Sequence, residues 1–367
     1  MKADSKRPKA RVLAYYLPQF HPIPENDEWW GKGFTEWTNV GKAKPLFPGH
    51  YQPHVPADLG YYDLRVPETR EAQAQMAREA GVEGFVYWHY WFGNGKRLLE
   101  RPFNEVLTSG KPDFPFALAW ANETWSGSLH GLLKGKTLIE QQYPGDEDYI
   151  NHFKELLPAF KDRRYLTCEG RLLFFIYHPE QMPDVAHFIH LWQNLSIEHG
   201  IKEFFFVALT RAQFVKDEET EILNHFLSLG FSAIAPLNVY YCPKLNLKWK
   251  LCRKIFYKTL KCIPNVIPYD IETMQSPMDD DKNVFPMVYP GWDHTPRSGK
   301  RGVVVCGNTP QLFEKSVLHA VNKVSNKPED RNIIMLKSWN EWAEGNYMEP
   351  DLKWGKKYLE ALKRALY

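Results

Sequence analysis

The sequence predicts a single-domain parallel α/β barrel, (β/α)8, and three observations predict it. Short runs rich in β-branched and aromatic residues recur along the whole chain. Segments of helical periodicity alternate with them, which implies a parallel sheet. No glycine-rich GxGxxG turn follows any run, so a closed barrel is favoured over an open doubly wound sheet, the nearest alternative. The 367 residues admit two ordinary domains, but such barrels exceed about 250 residues as one unit when they carry insertions.

In order, residues 1–10 read as a charged, flexible start, and the barrel domain is expected over 11–367. Strands are expected at Val12 to Tyr16, Gly84 to Tyr90, Phe116 to Ala121, Leu172 to Tyr177, Glu203 to Leu209, Ser232 to Leu237, Val284 to Tyr289 and Ile333 to Ser338. Each is too short for a helix and is bounded by Pro, Gly or polar residues. Helical periodicity marks Pro67 to Ala80, Asp146 to Phe160, Asp184 to His199, Glu218 to Leu229 and Pro310 to Val324, with proline opening the first and last. Two insertions interrupt the alternation. Trp29 to His54, after the first strand, is too long for a plain connection and is placed to cover part of a site. Lys244 to Lys261, between strands six and seven, carries seven basic residues and no acid, interleaved with apolar ones. Such a helix suits peripheral contact with an anionic membrane; the plainer reading is a solvated outer helix.

Composition narrows the function classes. The 46 basic and 44 acidic residues leave a net charge of +2, so no field steers nucleic acid to the surface. Cys168, Cys242, Cys252, Cys262 and Cys306 have no CxxC pairing and read as reduced thiols. His21, His50, His54, His89 and His178 lack metal-ligand spacing, so neither metal nor other cofactor is expected. Without a signal-like apolar stretch or a membrane-spanning run, a cytoplasmic location is expected. There is no GxSxG elbow and no P-loop, which removes support from elbow-type ester hydrolysis and nucleoside-triphosphate chemistry. Aromatics make up 15% of the chain, with 13 Trp and 19 Tyr, suited either to stacking on sugar faces or to the core.

Polar and aromatic residues gather at the strand ends, which share one face of a barrel. Tyr15, Tyr16, Gln19 and His21 follow the first strand, Trp88, His89 and Trp91 the second, and Trp120, Asn122, Glu123 and Trp125 the third. Tyr289, Trp292 and Asp293 follow the seventh, and Trp339, Asn340 and Trp342 the eighth, with Glu36 and Trp37 on the first insertion. These are the candidate sugar contacts. Glycoside cleavage needs one protonated carboxyl and one carboxylate. Glu341 and Glu344, three residues apart on the turn after the last strand, are the candidate pair, and Trp339 and Trp342 are expected to wall them and raise one pKa.

These same segments, Tyr15 to Pro22, Gly33 to Trp37, Trp120 to Glu123, Trp339 to Gly345 and Glu349-Pro350, resemble the WbsX family, which is similar in turn to glycoside hydrolase family 99. WbsX proteins carry a glycosyltransferase label from polysaccharide and lipopolysaccharide gene clusters. Family 99 consists of metal-independent, retaining barrels that cleave within α-mannan-type chains. The resemblance implies that Glu341 acts as a base on the sugar 2-hydroxyl, giving a 1,2-anhydro intermediate, and that Glu344 is the general acid/base. The chain departs from family 99 at Ala343, where a histidine is expected, and at Trp339, where phenylalanine is usual.

The resulting expectation is an endo-acting glycoside hydrolase or transglycosidase on a mannose-containing or related bacterial polysaccharide. Two alternatives stay open. A sugar-nucleotide glycosyltransferase would need a diphosphate cradle or an acidic metal pair, for which Asp279-Asp280-Asp281 is the candidate run, although a solvated loop is its plainer role. A non-catalytic carbohydrate-binding barrel would use the aromatics without the glutamates.

Overall fold

The eight apolar runs form eight parallel strands: β1 (Arg11–Tyr16), β2 (Gly84–Trp91), β3 (Phe116–Trp120), β4 (Arg171–Ile176), β5 (Phe204–Thr210), β6 (Ala233–Pro236), β7 (Met287–Val288) and β8 (Ile333–Leu336). The structure, a computed structural model, describes residues 7–127, 136–210, 216–237, 250–251, 253–271, 276 and 278–367. Hydrogen bonding runs in the order β6-β5-β4-β3-β2-β1-β8-β7. The ring closes through Ile234, whose N–H donates to Asn283 O at 2.8 Å and whose carbonyl accepts from Phe285 N at 2.9 Å. That closure rules out the open sheet. The seventh strand is shorter than its apolar run because Pro286, having no N–H, interrupts the ladder. Residues before it pair with β6, and residues after it with β8. β2 is buried at every position, as expected of a parallel strand covered on both faces.

The described helices on the outside are α1 (Pro67–Ala80), α2 (Arg101–Ser109), α3 (Asp146–Phe160), α4 (Val185–Glu198), α5 (Lys216–Ser228), α6 (Pro310–Val324) and α7 (Lys357–Leu366). α1 starts at a proline and stops at Gly81, left-handed at φ 94°. The Thr309 side chain caps α6 by accepting from Leu312 N at 3.2 Å. Sequence periodicity left α2 and α7 unassigned, yet α7 buries Leu359, Leu362 and Leu366 as one stripe. None of the described helices is long and apolar enough to cross a membrane.

Within the expected flexible start, the Lys9 N–H reaches Leu366 O at 2.9 Å; residues 1–6 lie outside the described set. The first insertion folds into two short helices, Pro24–Trp30 and Glu36–Lys42. Of the basic segment, Lys244 to Trp249 and Cys252 lie outside the described residues; Arg253–Thr259 forms a wide helical turn that leaves Ile255 and Phe256 exposed. Away from the barrel sheet, Val303–Cys306 pairs in parallel with Asn265–Pro268 and antiparallel with Trp292–Asp293. This small sheet carries the chain from β7 to α6.

Candidate active site

The segment after β8 is a tight hairpin. Asn340–Glu341 pairs antiparallel with Asn346–Tyr347, and Trp342–Glu344 between them forms a 3-10 turn. Three residues per turn bring positions i and i+3 onto one side, so Glu341 and Glu344 point the same way. Both line a cavity of about 120 Å³ at the C-terminal face of the barrel, whose other walls include Gln19, Trp88, Glu123, Trp125 and Tyr177. Residues from five strand ends therefore meet at one place.

Between the two glutamates lies Arg297. Its Nη1 is 2.5 Å from Glu344 Oε1, and its Nη2 is 2.7 Å from Glu341 Oε1 and 3.1 Å from Glu36 Oε2. One guanidinium thus neutralises part of the charge of three carboxylates inside a desolvated site. Burial, reinforced by the nearby charge of Glu344, lifts Glu341 to about 7. Burial also favours protonation of Glu344, but Arg297 and His294 outweigh it and hold that carboxyl below its usual range. His294 lies 3.6 Å from Glu344, with its own pKa lowered chiefly by burial. The two acids are a coupled pair, with Glu341 above and Glu344 below the usual carboxylate range.

Arg297 is carried by the short helix Thr295–Ser298, which Asp293 caps: Asp293 Oδ1 accepts from Thr295 N at 2.9 Å and from its hydroxyl at 2.6 Å. The other oxygen of Asp293 bonds His50 at 2.7 Å and Gln52 at 2.5 Å. Against burial, these bonds hold Asp293 below the usual carboxylate range. The first insertion therefore reaches the site twice, through Glu36 and through His50 and Gln52.

The hairpin that carries Glu341 and Glu344 rests on Glu349, which is 3% exposed and accepts four hydrogen bonds. Trp339 Nε1 and Gln73 Nε2 donate to one oxygen at 3.0 and 2.6 Å; Trp342 Nε1 and Tyr62 Oη donate to the other at 2.6 and 2.8 Å. Burial still lifts this carboxyl to about 7. Asn340 fixes the hairpin to β1, accepting from Leu17 N at 2.8 Å and donating to Leu17 O at 3.0 Å.

Gly345 ends the turn at φ 59°, and a Cβ there would meet Asp293 Cβ at 2.8 Å and its backbone N at 2.9 Å. Gly345→Ala is expected to destabilise the fold by about 1–3 kcal/mol, since overpacking adds to left-handed strain. Thermal melting checks this: an unchanged midpoint would mean that the hairpin and the Asp293 strand need not touch.

Of the residues singled out from sequence, Gln19, Trp88, Glu123, Trp125, Glu341 and Glu344 line the cavity. Tyr15 lies behind Trp88, stacked at 5.0 Å between centroids, and Glu36 reaches in through Arg297. The others stand in the supporting wall. Tyr16 Oη donates to Gln73, Trp37 Nε1 to Tyr62 O, Trp91 Nε1 to Asp148 and Trp120 Nε1 to Trp91 O. His89 bonds His152 at 2.8 Å, Asn122 bonds both backbone groups of His178, and His21 and Tyr289 are buried. Trp292 and Asp293 face a neighbouring cavity. The expected apolar wall of Trp339 and Trp342 is not at the carboxylates: both indoles are buried beneath the hairpin, and Trp88, Trp125 and Tyr177 form the wall instead.

Arg297 and Lys337 escaped the sequence reading. Lys337 lines the cavity, with Nζ 5.9 Å from the Trp88 ring centroid and 5.7 Å from that of Trp292. It sits just past the end of β8, where the strand-end criterion applied to Trp339 would have found it. Arg297 had only a helix-start signal, Asp293 followed by Thr295-Pro296, and nothing in that signal tells where the helix points.

The profile of the family described as Glycosyltransferase WbsX matches residues 12–362. The chain is similar to WxcX of Xanthomonas campestris pv. campestris strain B100, with 35% identity over 368 residues, 97% of this chain and 50% of that protein. WxcX of a second strain of that pathovar is 36% identical over 364 residues with the same coverage. The chain thus spans about half the length of the curated relatives it matches. Among solved structures, a glycoside hydrolase-like protein superposes with a TM-score of 0.61 at 14% identity, over 99% of this chain and 95% of that one. The GH99 endo-alpha-mannosidase from Bacteroides thetaiotaomicron superposes with a TM-score of 0.56 at 16% identity, over 97% and 95%. At these identities the likeness concerns the barrel fold.

Proposed function

The chain belongs to the WbsX family, and from that premise we propose that it is a carbohydrate-active enzyme that cleaves glycosidic bonds with retention, without a metal, inside a mannose-containing or related bacterial polysaccharide. One observation carries the reading: two glutamates on a single 3-10 turn face one aromatic-walled cavity at the C-terminal end of the barrel, where burial raises Glu341 and Arg297 holds Glu344 low. One proton between two carboxyls is the stoichiometry the reaction needs. Glu344 gives it to the leaving oxygen while Glu341 takes the proton of the sugar 2-hydroxyl, which attacks the anomeric carbon and closes a 1,2-anhydro ring. Water then opens that ring with the proton transfers reversed. In the free site Arg297 keeps the proton on Glu341, so substrate entry has to loosen the Arg297 contact with Glu344 before turnover.

A sugar-nucleotide transferase, the reading in the family's name, draws less support from the acidic run Asp279-Asp280-Asp281. It precedes β7 and so lies at the N-terminal end of the barrel, where Asp279 is buried against Ser276. Purified protein incubated with mannans and bacterial surface polysaccharides, with and without sugar nucleotides, and followed by mass, separates the two. Oligosaccharide release without a donor is expected; donor-dependent chain extension would replace the hydrolase reading.

A further inference from the structure

Beside the catalytic cavity, on the same face, lies a larger one of about 360 Å³ that no step of the proposed reaction uses. The two are divided by Gly345 and Asp293, packed so closely that a Cβ on Gly345 would meet Asp293 Cβ at 2.8 Å. One wall is the loop Phe47 to His54, the opposite wall is the segment Tyr347 to Tyr358, and the floor is the small sheet at Val304 and Val305. Its volume falls within the range of about 300–1,000 Å³ usual for small-molecule sites.

The lining has the composition that sugars select, flat aromatic faces with a few fixed polar groups. Trp354 presents a half-buried ring to the cavity, while the Tyr51 ring is stacked on His54 at 4.5 Å between centroids. Lys353 Nζ lies 4.4 Å from the Tyr51 centroid and 5.2 Å from that of Trp354, and among the described residues it has no carboxylate within ion-pair distance. Nor does any described group accept from the Trp354 indole N–H. The polar groups are held in place by their neighbours. Asp351 accepts the Tyr347 hydroxyl at 2.8 Å and Trp354 N at 2.6 Å, and the Asn308 amide donates to Pro290 O at 3.1 Å and Tyr358 Oη at 3.2 Å. A gap left by poor packing between two loops would not have its polar atoms oriented in this way.

The geometry points to a second glycan-binding site in this cavity, in which Trp354 stacks on a sugar ring while Lys353 and the Trp354 indole donate to hydroxyls. It holds a second stretch of a polysaccharide whose other part enters the catalytic cavity. The dividing wall gives it a physical link to catalysis, because Asp293 caps the helix that carries Arg297.

Affinity electrophoresis in gels containing α-mannan, dextran or alginate tests the site directly. The parent is Glu344→Gln protein, so that binding is read without turnover. At least one polymer is expected to retard it, and Trp354→Ala is expected to weaken that binding roughly tenfold, the loss of about one stacked ring. Exposed Lys353→Ala, which removes no ring from the wall, gives a second readout should the Trp354 variant fail to fold, and it is expected to weaken binding in the same direction. Unchanged retardation in the folded variants, or no retardation of the parent by any of the three polymers, overturns the proposal. Failure of the hydrolase reading would appear instead as absence of product in the turnover screen and leave this binding result standing.

Discussion

Glu344→Gln and Glu341→Gln are each expected to lower turnover on a cleaved polysaccharide by roughly 10²–10⁴-fold while leaving a folded protein, the range for loss of a positioned acid or base. Folding is expected to survive because Arg297 is shared among three carboxylates, and removal of one charge leaves two partners within 3.1 Å or closer. A lone buried ion pair would be far more sensitive, costing about 3–5 kcal/mol when broken. The pH profile is the more specific readout. The productive state holds one proton on the pair, so kcat/KM is expected to fall above about pH 7 as Glu341 loses its proton, and again at low pH as Glu344 gains one. Arg297 lowers both carboxyls, so Arg297→Met is expected to move both limbs toward higher pH. A folded Glu344→Gln or Glu341→Gln protein with parental turnover would remove the pair from the mechanism.

Glu349→Gln is the second large effect, and it acts without touching the cavity. An amide in place of the carboxylate offers one acceptor oxygen to four donors and turns two further N–H groups toward them. Measured at pH 8, where Glu349 is ionised, the variant is expected to lose on the order of 3 kcal/mol, because donors are left unsatisfied in a dry interior. Turnover is expected to fall as well, since Trp339 and Trp342 hold the two ends of the segment carrying Glu341. If calorimetry and kinetics both match the parent, the hairpin is held by Asn340 and the β1 backbone instead. Loss of stability alone, with normal kcat in the folded fraction, would mean that the anchor matters to folding and not to alignment.

The strand and helix pattern was legible because burial on both faces of a parallel sheet demands apolar runs, and a covered helix demands a stripe. α1, α3 and α6 were therefore located to the residue, with Pro67 and Pro310 marking two of the starts. α7 was missed although it carries such a stripe, because it follows the last of the strand-like runs used as landmarks, and α2, between the second and third runs, is only nine residues long. For the site, strand-end clustering found Glu341, Glu344, Trp88, Glu123 and Trp125, all on the cavity. The same criterion also swept in Trp91, Trp120, Trp339 and Trp342. An indole looks alike in sequence whether its N–H will meet a sugar or a buried carboxylate.

The sequence by itself determined the barrel, its family and the pair of glutamates, since periodicity and a compact motif are properties of residues near one another in the chain. Only the tertiary structure decided what surrounds that pair. Arg297 stands 44 and 47 positions from the two glutamates it joins, and Glu36 lies 261 positions from Arg297. The direction in which Arg297 points depends on how Asp293 caps its helix. Charge at a site depends on three-dimensional distance and desolvation, and neither quantity is a function of separation along the chain.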